Sequence, residues 1–212
     1  MALTDAGGNR RPIKARSSTW AQKTALFLAR TPVSPNQISV VSIFFAAIGA
    51  VLLVCYPAPI GLLGCAVAIQ GRLLCNLLDG MVAMEGGKQS PLGKLYNEFP
   101  DRIADSLLFI ALGYAIHLPF MGWLCALAAA LTAYVRVFGG SLGLPQDFRG
   151  PMAKQQRMAV MTGGCILAAI EQAATGTVYV LIGTACIIAL GALVTCLTRS
   201  HAIAIQLRQE QH

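Results

Sequence analysis

Residues 76–105 read NLLDGMVAMEGGKQSPLGKLYNEFPDRIAD, and they decide the fold. Five of the nine acidic residues of the chain lie there: Asp79, Glu85, Glu98, Asp101 and Asp105. Long apolar runs flank the stretch on both sides. Carboxylates set among membrane-grade segments are costly, so by default they mark a functional site. Asn76, Asp79, Gly80 and Ala83 stand at i, i+3, i+4 and i+7 and share one face of a helix. Gly93, Asn97, Asp101 and Asp105 stand at i, i+4, i+8 and i+12 and share another. Between them, EGGKQSP has the glycines and proline of a turn. The pattern predicts a helical hairpin with two oxygen-bearing faces opposed. Carboxylate and amide oxygens suit a hard cation such as Mg²⁺. Gly80, Ala83 and Gly93 leave room for a ligand near the backbone.

Composition places this hairpin in a membrane. The chain has 212 residues, 56% of them hydrophobic and 12% charged. A soluble core of that size needs a more polar exterior. The net charge of +7 raises nucleic acid as a partner. The basic residues form no stripe with interleaved aromatics, so no nucleic-acid partner is expected. The seven cysteines are scattered singly through apolar runs, without CxxC pairs or nearby histidines, and read as small buried hydrophobes. His117, His201 and His212 lie near a helix end or in the tail and are poor catalytic candidates. The first 16 residues are polar and basic, without the apolar core of a signal peptide.

Taken in order, residues 1–16 form a basic leader facing anionic lipid. Residues 17–30 mix Trp20, Leu26, Phe27 and Leu28 with Lys23 and Arg30, the pattern of an amphipathic interfacial helix. Six apolar stretches follow at 38–57, 60–84, 91–116, 119–138, 156–174 and 177–197, each near the length that crosses a bilayer. The expected fold is all-α: a leader and interfacial helix (1–37), a six-helix transmembrane domain (38–198) and a cytoplasmic tail (199–212). Lys and Arg set the orientation. The turns YPAP, HLPF and AATGT contain neither, so both termini and the hairpin turn face the cytoplasm, at the inner membrane.

The loop at 139–157, GGSLGLPQDFRGPMAKQQR, carries further cations. If the fourth and fifth spans are neighbours, as a single connecting loop suggests, Arg136, Lys154 and Arg157 converge at the cytoplasmic mouth. Three cations gathered there favour an anion, and Arg and Lys both bind phosphate. Positive-inside anchoring accounts for the same residues, and for Arg149. Arg72, one turn before Asn76, suits a salt bridge to a hairpin carboxylate as well as it suits a substrate contact. Glu98 either restores negative charge beside Asn97 or is solvated. Glu85 and Glu171 read as polar span ends.

The hairpin resembles the CDP-alcohol phosphatidyltransferases, whose pattern is D-x2-D-G-x2-A-R-x8-G-x3-D-x3-D. Asp79, Gly80, Ala83, Gly93 and Asp101 stand at the required spacing. Asn76 and Asn97 replace the first and third aspartates, and Met84 the arginine, as in a divergent branch. PNQIS at 35–39 resembles the family more weakly. The resemblance implies attack of an alcohol on the β-phosphorus of a CDP-linked lipid, with CMP leaving. It implies Mg²⁺ or Mn²⁺ on Asn76, Asp79, Asn97 and Asp101, with Asp101 also the catalytic base. Gly80 and Ala83 match positions at the cytidine end, and Gly93 is grouped with them as substrate-binding. Two metals are implied; with two amides in the set, the second rests on Glu98 or Asp105 or is lost. Asp105 is a ligand or orients Arg102. The expected partners are CDP-diacylglycerol, an alcohol acceptor such as glycerol phosphate or inositol phosphate, membrane lipid and a second copy of the chain as a homodimer. An inactive lipid-binding relative and a cation transporter are the rival classes. A transport site belongs nearer the midplane, among broken helices.

Overall fold

The protein is seen here in a computed structural model that describes residues 18–209. The basic leader and His212 lie outside the described residues. Among the described residues there are seven helices and no strand: α1 (Thr19–Ala29), α2 (Pro35–Cys55), α3 (Pro59–Glu85), α4 (Gly93–Ala115), α5 (Pro119–Ser141), α6 (Lys154–Thr175) and α7 (Tyr179–Gln209). Five of them, α2, α3, α5, α6 and α7, are long and apolar enough to cross a bilayer. The chain is a multi-pass membrane protein. α4 falls outside that group because its first half carries Glu98, Asp101, Arg102 and Asp105.

The helix starts follow from local chemistry. At α2, the Ser34 hydroxyl accepts from the Gln37 N–H at 3.2 Å, while the Gln37 side chain accepts from the Ser34 N–H at 2.9 Å. This reciprocal box satisfies two donors that a helix start leaves open. Pro35, Pro59 and Pro119 stand in the first turns of α2, α3 and α5, where the missing N–H costs nothing. α4 ends at Ala115, and past its C-cap Ile116 the residue His117 has a left-handed φ of 57°. The following Leu118 N–H returns to the Gly113 carbonyl at 2.9 Å, closing the end as a Schellman turn does. α7 continues past the expected tail boundary at 198 and stays helical to Gln209.

Packing forms a closed ring. α2 lies against α3 and α4, α3 against α6, α6 against α7, α7 against α5, and α5 against α4. Consecutive helices α3 and α4 are therefore not main packing partners, and α2 holds them apart. α5 and α6 are not main partners either, contrary to the expectation drawn from their single connecting loop; α7 lies between them. Lipid offers no hydrophobic penalty that would force sequence neighbours together, so close backbone fit selects the pairs. At α4–α5, a Cβ on Gly122 would stand 2.7 Å from the Phe109 carbonyl oxygen and 2.8 Å from the Gly113 Cα. α1 packs on α3, burying Ala21 and Ala25 beside Met81 and Val82 and leaving Trp20, Leu26 and Phe27 exposed.

Candidate active site

The gap between α3 and α4 is filled by charge. α3 contributes Arg72, Asn76 and Asp79, spaced one turn apart; α4 contributes Glu98, Asp101 and Asp105; α6 contributes Lys154 and Arg157 from its first turn. Asp79, Asp101, Asp105, Arg72 and Arg157 are all buried. A buried charge is tolerated only when it is paired and hydrogen-bonded, and here it is.

Asp101 receives donors on both oxygens. Asn76 Nδ2 donates to Oδ1 at 3.1 Å, and the Lys154 ammonium pairs with Oδ2. Arg72 Nη2 stands 3.5 Å from Oδ1 and Arg102 Nη2 3.8 Å from Oδ2. Asp105, one turn deeper, is clamped by two arginines: Arg72 Nη2 at 2.6 Å on Oδ1 and Arg157 Nη2 at 3.0 Å on Oδ2. Arg157 Nη1 is fixed in turn by the Thr132 hydroxyl and the Met152 carbonyl, each at 2.9 Å. Arg199 of α7 donates to the Thr132 carbonyl at 2.7 Å and the Arg149 carbonyl at 2.8 Å, tying α5 and the 142–153 loop together. Asp79 accepts from the Ser39 hydroxyl of α2 at 2.6 Å.

The structure brings Asn76, Asp79, Asp101, Asp105, Lys154 and Arg157 to one centre. Asn97, one turn before Asp101, is exposed; Gly80, Ala83 and Gly93 are half-buried. A Cβ on Gly93 would meet only the Ser90 hydroxyl oxygen, at 3.8 Å, so the room there is real. Arg136 lies one turn after Thr132, the α5 partner of Arg157, and has its own carboxylate. It pairs with Glu98, bonds Gln146 Oε1 at 2.6 Å and stacks over Phe148 at 5.5 Å. The expected convergence of Arg136, Lys154 and Arg157 is thus replaced by a ladder on α4, in which Glu98, Asp101 and Asp105 each take one of them. Seven residues of helix separate the ends of that ladder, about 10 Å. Arg157 is 1% exposed and held on three sides, whereas the side chains of Arg102 and Lys154 are 26% and 22% exposed. Glu98 is paired rather than simply solvated. Beyond the helices, burial pushes the Asp147 carboxyl upward, but hydrogen bonds and charge from Arg149, with the charge of Arg199, hold it below the usual carboxylate range.

Sequence reading did not find Ser39, Thr132 or Arg199. Ser39 lies in the PNQIS stretch, yet nothing local pairs it with a carboxylate 40 positions away. Thr132 sits in an apolar run of α5 one turn before Arg136, and nothing in that spacing pairs it with Arg157, 25 positions away.

Among the described residues, no three of His, Cys, Asp and Glu gather closely enough to hold an ion alone. What is present is two carboxylates, Asp79 and Asp101, with the Asn76 amide, a hard oxygen set that suits one divalent cation. It does not reproduce four carboxylates. Three guanidinium Nε atoms, of Arg72, Arg102 and Arg157, are buried without a hydrogen-bond partner.

No family model matches the chain. It is 34% identical over 137 residues to archaetidylinositol phosphate synthase of Aeropyrum pernix, covering 65% of this chain and 69% of that one. It is 28% identical over 183 residues to phosphatidylinositol phosphate synthase of Streptomyces avermitilis, covering 82% and 74%. A third relative, the bifunctional IPC transferase and DIPP synthase of Rubrobacter xylanophilus, is 34% identical over 148 residues, 67% of this chain but 33% of that protein. Among solved structures, phosphatidylinositol phosphate synthase PgsA1 of Mycobacterium tuberculosis with CDP-DAG bound superposes with a TM-score of 0.73 at 21% identity, covering 88% of this chain and 94% of that one. The same protein with manganese and citrate gives a TM-score of 0.72 at 20% identity, over 86% and 88%. At that identity the likeness is one of fold.

Proposed function

The chain belongs to the CDP-alcohol phosphatidyltransferase family, and from that premise we propose that its acceptor is a phosphorylated alcohol bound by arginines at the mouth of the ring. The reaction is transfer of a phosphatidyl group from CDP-diacylglycerol to an alcohol, with release of CMP. One observation carries the acceptor: the buried, unpartnered Nε–H donors of Arg72, Arg102 and Arg157. An unmade hydrogen bond in a buried guanidinium costs about 1–3 kcal/mol. Three in one centre are best accounted for by an anion that completes them. The phosphatidylinositol phosphate synthase and archaetidylinositol phosphate synthase among the relatives support the same class of acceptor.

In this reading Asp101 takes the proton of the attacking hydroxyl, and Asn76 and Lys154 hold its carboxylate in place. Asp79, held by Ser39, is the anchoring metal ligand, with Asn76, Asn97 and Asp101 completing the set. Mg²⁺ or Mn²⁺ neutralises the diphosphate when bound; the manganese found in PgsA1 supports a divalent ion. Asp105 gives both oxygens to arginines and positions them rather than binding metal. Arg102 and Arg136, both part-exposed, meet the acceptor phosphate first, and Arg157 lies behind them. Gly80 and Ala83 border the cytidine end, and Gly93 opens the start of α4.

The same proposal has α4 cross the membrane as a sixth span, shielded by its ring neighbours. α1 lies in the interface with Trp20 and Phe27 toward lipid, the mouth opens to the cytoplasm, and two copies associate. The test is purified protein with CDP-diacylglycerol and a panel of alcohols, read by CMP release, with Mg²⁺, with Mn²⁺ and with EDTA. Turnover with a phosphorylated polyol, lost in EDTA, is expected. Turnover only with unphosphorylated alcohols defeats the acceptor, and full activity after EDTA and dialysis defeats the metal.

A further inference from the structure

We propose that Glu98 is a resident counter-anion that the acceptor phosphate displaces from Arg136, and that Gln146 and Phe148 hold Arg136 in place through the exchange. The inference rests on the phosphorylated-acceptor reading and deepens it, because it gives these three residues a part in choosing the acceptor. Arg136 is held from three directions. Its Nη2 pairs with Glu98 of α4, its Nη1 donates to Gln146 Oε1 at 2.6 Å, and its guanidinium carbon lies 5.5 Å from the centre of the Phe148 ring. Gln146 and Phe148 both belong to the 142–153 connection.

The three contacts differ in charge, and that difference assigns their roles. A guanidinium has donors only, so the Gln146 atom facing it is the carbonyl oxygen. The amide and the ring face fix the cation without cancelling its charge. Glu98 cancels it. Without Gln146, the planar fork of Arg136 would be free to take both oxygens of Glu98, and a fully neutralised pair attracts no phosphate. With Nη1 held by Gln146, Glu98 keeps its contact on Nη2, and among the described residues it has no second partner. The Glu98 side chain is 33% exposed against 13% for Arg136, so the carboxylate is the member of the pair that water can take up. Glu98 also stands four residues before Arg102 on α4, hence on the same face of the helix, and Arg102 Nε is buried without a partner. A phosphate that replaces Glu98 on Arg136 therefore arrives near a second unmade bond. A phosphomonoester carries about −2 charge and three acceptor oxygens, enough to displace a carboxylate held by one contact. A neutral alcohol has neither, so the exchange selects phosphorylated acceptors.

Binding tests this without turnover. Full-length protein in nanodiscs of phosphatidylcholine, which offer no anionic headgroup, is titrated calorimetrically with inositol phosphate and with glycerol phosphate. Glu98→Gln is expected to bind the preferred titrant about fivefold more tightly, since one part-exposed ion pair no longer has to break. Misfolding cannot produce such a gain. Gln146→Ala and Phe148→Ala are expected to bind it at least about threefold more weakly, for the lost hydrogen bond and cation–π contact. The loss in Gln146→Ala shrinks when Glu98→Gln is added, because the carboxylate that would capture Arg136 is gone. The KM for CDP-diacylglycerol stays at the wild-type value in all of these chains, and Glu98→Gln keeps the wild-type Mn²⁺ affinity. Unchanged or weaker binding in Glu98→Gln overturns the proposal, as does a Gln146→Ala loss that is equal with and without Glu98→Gln. A fall in Mn²⁺ affinity in Glu98→Gln overturns it too, by making Glu98 a metal ligand. Failure of every chain to bind either titrant overturns the phosphorylated-acceptor reading itself, and the proposal falls with it.

Discussion

Asp101 touches side chains of two other helices, α3 and α6, and Asp79 touches Ser39 of α2. Asp79→Ala and Asp101→Ala are expected to reduce kcat/KM by about 10²-fold or more, the usual cost of removing a positioned proton acceptor or ligand. Elution as folded protein in detergent should be unchanged. Asn76→Asp should retain substantial activity, since it restores the carboxylate that the family pattern has at this position. If it is as inactive as the alanine variants, the register assigned to the centre is wrong. The arginines divide differently. Arg136 is part-exposed at the upper rung of the ladder, and Arg136→Ala should raise the acceptor KM about tenfold or more, the worth of a charged hydrogen bond, leaving the KM of the CDP-lipid nearly unchanged. Arg157→Ala strips one of two clamps from buried Asp105. It should cost roughly 3 kcal/mol of stability, read as a lowered thermal midpoint. A raised acceptor KM is expected beside the loss of stability, because the Arg157 Nε–H is one of the three donors assigned to the acceptor phosphate; full stability would mean that Arg157 does not clamp Asp105. The acidic face of α3 and α4 was legible from spacing alone, because each helix repeats its face every turn. The partners of Arg157 were not: Asp105 and Thr132 are 52 and 25 positions away, and no local pattern encodes such pairs.

At the scale of helices, the starts were legible and the neighbours were not. Ser34, Gln37 and the prolines at 35, 59 and 119 punctuate the chain by local hydrogen bonding and steric rules that operate inside a membrane as they do in water. Lateral order depends instead on which helices can approach most closely, and uniformly apolar surfaces carry little information about that. Small residues are the exception. Gly113 and Gly122 bring the α4 and α5 backbones together, and the atoms a Cβ on Gly122 would strike are backbone, which cannot swing aside. Gly122→Ala is therefore expected to destabilise by about 1–3 kcal/mol through overpacking. Gly163→Ala, where a Cβ meets nothing within 4 Å, should be neutral or slightly stabilising, because alanine is the better helix former. Equal thermal midpoints for the two variants would mean that α4 and α5 do not cross at this point. The crossing matters for the centre because α4 carries Asp101 and Asp105, and α5 carries Thr132 and Arg136.

For the whole molecule, the decisive quantity is which side the charged mouth faces. The connections at 56–58, 116–118 and 176–178 carry no Lys or Arg, whereas those at 86–92 and 142–153 carry Lys88 and Arg149. Lys88 also ties its connection to the chain before α2, donating to the Thr31 and Val33 carbonyls. Six crossings place all the Lys- and Arg-bearing connections on one side and all the bare ones on the other. Five crossings cannot, because leaving α4 out of the membrane puts the connections on its two sides in the same compartment. The number of spans and the orientation are therefore one question, and the proposed answer, six spans with the mouth at the cytoplasm, is the one that positive charge on short loops favours. Single cysteines at Ser90 and at Thr177, in a chain freed of its native cysteines and still active, give the measurement. A membrane-impermeant thiol reagent applied to intact cells should label position 177 and spare position 90, and the pattern should reverse in inside-out vesicles. Labelling of both from the same side would take α4 out of the bilayer. Labelling of position 90 alone in intact cells would turn the whole ring over and place the diphosphate site outside.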